Sequence, residues 1–225
     1  MSRAHDMGGR FGDGAVVPEP QGIPQLGAEW QSRALALTLA AGSLGQWNLD
    51  TSRHARERLS PKDYARFSYF EKWLAALADL LVDTGILDRD DLRGRGDDGL
   101  HDLAGRALTA ARVASVLAAG GPADREAEIR PRFERGQAVR TARPAGNRHV
   151  EGGHTRLPAY AAGAQGYILM HHGTHVFPDS NAHGLGECPQ HLYTVVFRAA
   201  QLWSHPEHPD DEVTLDLWES YLEPA

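Results

Sequence analysis

The chain has 225 residues, of which 41% are hydrophobic and 24% are charged, an ordinary composition for a globular protein. Its net charge of −7 argues against binding to nucleic acid, because such domains usually carry a basic face. One cysteine, Cys188, excludes an internal disulfide and a cysteine-rich metal site within the chain. No apolar run reaches the roughly 18 residues of a transmembrane helix, and the first residues lack a secretory h-region, so we expect a cytoplasmic protein without membrane contact.

The first part of the chain predicts an arm followed by helices. Residues 1–27 are rich in glycine and proline and lack periodicity, which is typical either of a disordered tail or of an extended arm lying on another surface. Helical patterns follow over 28–41 and over 61–84, where Ser60 can cap and Pro61 suits the first turn. A third helix is predicted over 100–119, whereas residues 44–58 stay ambiguous.

The second part of the chain is predicted to be β-rich, with the change near residue 125. A short strand is expected within 131–140, and longer ones at 166–177, with a turn at Gly173, at 192–197 and at 213–218. Short strands joined without intervening helices favour a small barrel or roll. The sequence therefore predicts an α+β protein with an arm (1–27), a helical domain (28–125) and a β domain (126–225).

One segment between two strands, PDSNAHGLGECP at 178–189, has little periodicity and many turn-forming residues. A loop of this length inside a compact domain is usually functional or is held by a partner.

No self-contained catalytic site is evident in the sequence. His171 and His172 are adjacent in a predicted strand and point to opposite faces, so both cannot bind one metal ion without distortion. Nearby His175 adds no recognised zinc motif, and we expect the histidine-rich stretch to be hydrogen-bonded rather than metal-binding. There is no nucleophile elbow and no phosphate-binding glycine motif, and a lone Cys188 is weak support for a thiol nucleophile.

Several motifs, taken together, resemble one enzyme family. The segment FPDSNAHGLGECPQHLYTV at 177–195 and the later DLWESYLEP at 216–224 are similar to the C-terminal part of the beta subunit of nitrile hydratase. Shorter motifs agree in order along the chain: HDMGG at 5–9, AEW at 28–30 and GHTRLPAY at 153–160. The resemblance implies a β domain of the SH3-like barrel type.

The resemblance also implies a function that needs a partner. Nitrile hydratases add water to a nitrile to give an amide, and they are heteromers of alpha and beta subunits, typically an (αβ)2 heterotetramer. A non-corrin cobalt(III) or iron(III) ion is held by the alpha subunit through cysteines, two of them oxidised. We therefore expect no metal or cofactor in this chain, a small nitrile as substrate, and activity only in complex with the alpha subunit.

The resemblance further assigns roles to six residues. Arg53, in LDTSRHARERLSP, and Arg156, in GHTRLP, match beta-subunit arginines that hydrogen-bond the oxidised cysteines. Glu57 matches a carboxylate that organises the pocket. The substrate channel is matched by Leu49, Tyr69 and Trp73, for which ordinary helix core is the alternative.

Other interpretations remain open from the sequence. An accessory or activator protein of the same system would resemble only one half of a beta subunit, whereas this chain carries motifs of both halves. A thiocyanate-hydrolase-type relative usually divides the two halves between separate chains. A plain binding module built on the barrel would not need Arg53 or Arg156.

Overall fold

The computed structural model describes His5, residues 28–96 and residues 99–225. The chain divides into two compact units. The described part of the first is residues 28–96 and 99–120, and that of the second is His5 with residues 121–225. The arm predicted over residues 1–27 lies outside the described residues, apart from His5. None of the helices in the described ranges is long and apolar enough to cross a bilayer.

The first unit is helical. Its described helices are α1 (Glu29–Gly42), α2 (Leu49–Glu57), α3 (Pro61–Arg66), α4 (Tyr69–Asp83) and α5 (Ala110–Ala119), with 3-10 turns at Asp91–Arg93 and Ala104–Arg106. A small core of Ala55, Ala76 and Leu80, covered by Trp47, packs α2 against α4. This packing places the outer face of α2 beside the first turns of α4.

The helices of the first unit differ from the sequence analysis in three places. The ambiguous stretch 44–58 contains α2, which begins where the Asn48 side chain accepts a hydrogen bond from the Thr51 N–H at 2.9 Å. The single helix predicted over 61–84 is divided into α3 and α4 because Phe67 is extended and Ser68 starts a new capping box with Glu71. The helix predicted from residue 100 begins only at Ala110.

The second unit contains a five-stranded antiparallel sheet of order β4-β3-β2-β1-β5, which is open between its two edge strands. Its strands are β1 (Ala138–Thr141), β2 (Gln165–His175), β3 (Gln190–Arg198), β4 (Glu212–Trp218) and β5 (Leu222–Pro224). The strand predictions at 192–197 and 213–218 are confirmed within β3 and β4. Helices in one unit and an antiparallel sheet in the other confirm the α+β class.

Two details of the β-rich part differ from the prediction. Gly173 has a positive φ of 82°, but it produces an irregularity in the pairing with β3 rather than a turn, and β2 continues to His175. The predicted loop 178–189 begins with a short helix, α6 (Pro178–Asn181), and Asp179 and Ser180 are buried. The first part of this segment is therefore packed inside its own unit.

The core of the sheet unit is formed by large side chains from the strands and from the C-terminal turn. Tyr193, Phe197, Ile168 and Leu217 are fully buried, and Tyr221 joins them from the 3-10 turn Glu219–Tyr221. β3 is buried on both faces over much of its length, as expected for the middle of a covered sheet.

We predict that Gly166→Ala destabilises the sheet unit. A methyl group at Gly166 would lie 2.5 Å from the Val196 backbone oxygen, and that oxygen belongs to a paired strand that cannot move easily. Crowding of this kind typically costs about 1–3 kcal/mol. Urea unfolding of the full chain measures the change, and Gly146→Ala is the control because nothing lies within 4 Å of that position. Equal stability of the two variants would contradict the prediction.

Candidate functional site

Arg53 lies on α2 and is held by a buried carboxylate one turn earlier. Its Nη1 atom donates to Oδ1 of Asp50 at 2.8 Å, and the Asp50 side chain is buried. The Arg53 side chain itself is 37% exposed. A guanidinium has five N–H donors, so this contact fixes one edge and leaves further donors directed away from Asp50. The geometry is that of an anchored, solvent-accessible cation.

Glu57 lies one turn after Arg53 and ends α2. Its Oε2 atom is 3.6 Å from Nδ1 of His54, and both side chains are largely buried. Residues four apart share one face of a helix, so Glu57 and Arg53 lie on the same side of α2. One face of α2 thus carries a partly exposed cation, Arg53, followed by a largely buried carboxylate, Glu57.

An aromatic cluster at the start of α4 lies beside α2. The rings of Tyr69 and Trp73 are 5.4 Å apart, and Phe70 completes the cluster. Leu49 is 62% exposed and Tyr69 is 64% exposed, so neither belongs to the helix core. These apolar side chains form a surface that is open within their own unit.

Arg56 belongs to this surface, although the sequence analysis did not single it out. Its guanidinium lies 5.1 Å from the centre of the Trp73 ring, a cation–π geometry, and Nη1 donates to the Ser52 hydroxyl. Burial lowers the pKa of Arg56 from its usual value. Its spacing three residues after Arg53 was visible in the sequence, but its contact with Trp73 depends on how α2 packs against α4.

Arg156 lies in the sheet unit, on the loop that carries GHTRLP. Its side chain is exposed, but its backbone is fixed, because its N–H donates to the Tyr221 hydroxyl at 3.1 Å. The neighbouring Thr155 hydroxyl donates to the same oxygen at 3.2 Å. The adjacent Leu157 is buried in the core of the unit. A rigid backbone therefore presents an exposed guanidinium.

The predicted site residues are thus distributed over both units. In the helical unit, Leu49, Arg53 and Glu57 lie on α2, and Tyr69 and Trp73, whose rings are in contact, lie on α4. Arg156 lies in the sheet unit.

His171 and His172 of β2 are hydrogen-bonded across the sheet to His191 and Thr194 of β3. Nε2 of His171 lies 2.9 Å from Nδ1 of His191, and Nε2 of His191 lies 3.1 Å from the Ile129 carbonyl oxygen. Because a carbonyl only accepts, Nε2 of His191 donates to the Ile129 oxygen, which leaves Nδ1 of the neutral ring as the acceptor for His171. Burial and the neighbouring His191 lower the pKa of His171. Among the residues that the structure describes, no three His, Cys, Asp or Glu side chains are placed to hold a metal ion.

The comparisons with known protein families define the class of protein to which the chain belongs. The family model described as nitrile hydratase beta subunit, N-terminal, matches residues 1–123, and the model described as nitrile hydratase beta subunit, C-terminal, matches residues 122–224. The two models together cover nearly the whole chain, which is therefore one subunit of a multisubunit enzyme.

Individual relatives agree with this class. The chain is 34% identical to the cobalt-containing nitrile hydratase subunit beta of Pseudonocardia thermophila, over 99% of this chain and 96% of the relative. It is 36% identical to the nitrile hydratase subunit beta of Pseudomonas putida, over the full length of both. A solved structure of thiocyanate hydrolase from Thiobacillus thioparus matches 43% of this chain and 78% of that chain, at 26% identity and a TM-score of 0.38.

The chain belongs to the nitrile hydratase beta subunits. The enzymes of this family hydrate nitriles to amides as complexes, so this chain works with a partner subunit.

We predict that Asn48→Ala destabilises the helical unit, because Asn48 caps the helix that carries Arg53. The Asn48 side chain accepts from both the N–H and the hydroxyl of Thr51. Loss of such a cap typically costs about 1 kcal/mol. Asn48→Asp keeps an acceptor and is expected to retain most of the stability in urea unfolding of the full chain. An alanine variant as stable as the aspartate variant would show that the cap is unimportant.

Proposed function

We propose that this chain supplies Arg53 and Arg156 to a metal centre held by a nitrile hydratase alpha subunit. Each guanidinium would donate hydrogen bonds to the oxygens of oxidised cysteines in that subunit. The observation that supports this proposal is that both arginines reach the surface of their units from rigid supports, Arg53 being partly exposed and Arg156 exposed. Arg53 is anchored by buried Asp50, and the backbone of Arg156 is fixed by buried Tyr221.

The arginines of this chain and the oxidised cysteines of the alpha subunit are chemically complementary. Sulfenate and sulfinate oxygens are anionic acceptors, and arginine forms charge-assisted, bidentate bonds with planar or branched oxyanions. When bound, the cobalt(III) or iron(III) ion supplies Lewis-acid activation of the nitrile or of the attacking nucleophile. The part of this chain is to fix the geometry and the charge of the cysteine oxygens around that ion.

We propose that Leu49, Tyr69 and Trp73 line the path of a small nitrile. Leu49 and Tyr69 are exposed within the helical unit, and Trp73 is partly buried beside Tyr69. This supports the role, because a substrate channel needs apolar side chains that the unit's own core does not use. Arg56, lying on Trp73, would hold that ring in place. Glu57 would organise the polar end of the path, next to Arg53 on α2.

Several finer features of the molecule belong to the same proposal. An extended arm over 1–27, a helical domain over 28–125 and a β domain over 126–225 would assemble with the alpha subunit into an (αβ)2 heterotetramer in the cytoplasm. The β domain would be an SH3-like roll. That shape is supported because β4 and β5, the two edges of the sheet, are separated in sequence only by the 3-10 turn Glu219–Tyr221, so the sheet must curl.

The breadth of the family match favours this proposal over an activator of the metal centre. An activator that resembled one half of a beta subunit would match one of the two family models, whereas this chain matches both.

We predict that Arg53→Lys and Arg156→Lys each lower turnover of the co-expressed αβ complex. Lysine keeps the charge but loses the planar fork of donors. Residues that orient the ligands of a metal ion typically contribute about 10- to 100-fold in metal affinity or activity. Nitrile-to-amide conversion and metal content per complex measure the loss.

Two arginines outside the proposed site provide matched controls. Arg66→Lys changes an exposed arginine with the same spacing to its aspartate partner, Asp63, and the same 2.8 Å separation as in Arg53–Asp50. Arg198→Lys changes an exposed arginine of the sheet unit. Both controls are expected to keep turnover within about twofold, as surface substitutions usually do. Full activity in both Arg53→Lys and Arg156→Lys complexes would contradict the proposed function.

A further inference from the structure

A buried hydrogen-bond network lies directly behind Arg156 in the sheet unit. The Tyr221 hydroxyl donates to Oδ1 of Asp179, and the Arg148 N–H donates to Oδ2 of the same carboxylate at 2.7 Å. The Tyr221 oxygen in turn accepts from the Arg156 N–H and from the Thr155 hydroxyl. Asp179 and Tyr221 are both completely buried.

The donor and the acceptor of every hydrogen bond in this network are fixed. The Arg156 N–H can only donate, so the Tyr221 oxygen must accept from it and direct its own proton elsewhere. Burial and the neighbouring Asp179 raise the pKa of Tyr221, which keeps the hydroxyl protonated at neutral pH. The Asp179 carboxylate is the acceptor for that proton's hydrogen bond. The network therefore has a single donor–acceptor arrangement, and the backbone N–H of Arg156 is part of it.

The same buried segment also holds the beginning of the arginine loop. The Asn147 side-chain amide donates to the carbonyl oxygens of both His154 and Asp179, and the His154 N–H donates to Nε2 of His183. Gly153 has no room for a side chain, because a methyl group there would lie 2.6 Å from Nε2 of His183. The segment around α6 thus contacts the loop on both sides of residue 154.

Burying this many polar groups is unfavourable unless each is hydrogen-bonded, and an apolar packing would stabilise the fold as well. A fully paired network does give something that apolar packing does not, namely a single geometry for the groups it holds. That property matters for a loop whose arginine must meet acceptors at hydrogen-bond distance.

We infer that Tyr221 and Asp179 are positioning residues for Arg156. They fix the backbone of residues 155 and 156, so that the exposed guanidinium is held in the orientation that the oxidised cysteines of the partner subunit require. The inference rests on the proposed function of Arg156. It gives the two signature segments at 177–195 and 216–224 a shared purpose, because one contributes Asp179 and the other contributes Tyr221.

The test uses Tyr221→Phe in the metal-loaded αβ complex. The ring keeps its place against Phe177 and Trp218, while the bond to the arginine loop is lost. We expect kcat per bound metal to fall by about tenfold or more, as for other groups that orient metal ligands, with little change in KM. We also expect the visible absorption band of the metal–sulfur centre to shift, which a purely structural role would not produce.

Tyr193→Phe is the matched control. Tyr193 is also completely buried in the sheet unit, and its hydroxyl also donates to a carboxylate, Oε2 of Glu219, at 2.7 Å. Its described contacts do not include the arginine loop. We expect Tyr193→Phe to lower the Tm of the complex but to leave kcat per metal and the absorption band unchanged.

Two further variants separate the possible failures. Arg156→Lys tests the proposed function alone, and full activity there would overturn the role of Arg156. If Arg156→Lys is impaired but Tyr221→Phe matches the wild-type kcat and absorption band, the positioning inference is wrong. If Arg156→Lys and Tyr221→Phe both lower kcat, the double variant is expected to have the kcat of Arg156→Lys within about twofold, because the two changes remove one interaction.

Thr155→Val keeps the inference testable should Tyr221→Phe fail to fold. It removes one of the two donors to the Tyr221 oxygen while preserving side-chain shape. We expect a fall in kcat of about three- to tenfold, the usual weight of a single hydrogen bond, together with a smaller band shift. A folded Thr155→Val complex with wild-type kcat and band would overturn the inference.

Discussion

The contact between the Tyr221 hydroxyl and the Asp179 carboxylate is the constraint on which the sheet unit depends most. It joins the C-terminal turn, the buried segment around α6 and the loop that carries Arg156. Asp179 and Tyr221 are both fully buried, and this burial raises the pKa of Asp179. Groups placed this deeply must be paired, so each of the three segments has to adopt its observed position for the others to do so.

The helical unit follows the same principle with different residues. A buried carboxylate, Asp50, holds an exposed arginine, Arg53, and the capped helix α2 supplies the rigid support. A second arginine, Arg56, has its guanidinium over Trp73. In both units the charged group that would meet the partner is at the surface, and the group that fixes it is inside.

Sequence predicted the α+β class, the strands at 192–197 and 213–218 and the family, because alternation and long motifs are local signals. It left residues 44–58 ambiguous and did not predict α2, which has only two apolar residues, Leu49 and Ala55, and whose start depends on the Asn48 cap. It also missed the break before Ser68, although the Ser68–Glu71 capping box was readable in the sequence.

The supports of the site could not be predicted in the same way. Asp179 and Tyr221 lie 42 residues apart, and Arg56 meets Trp73 only because α2 packs on α4. Such contacts depend on the tertiary fold, and no local periodicity reveals them. The motifs that contain Asp179 and Tyr221 were visible in the sequence, but their connection to the arginine loop was not.

The most direct test of the account is a high-resolution structure of the metal-loaded αβ complex. We expect guanidinium nitrogens of both Arg53 and Arg156 within about 3 Å of oxygens on the partner's oxidised cysteines, the distance of a charge-assisted hydrogen bond. We also expect that the Tyr221 hydroxyl still accepts from the Arg156 N–H. A complex in which either guanidinium points into solvent, away from those oxygens, would contradict the account.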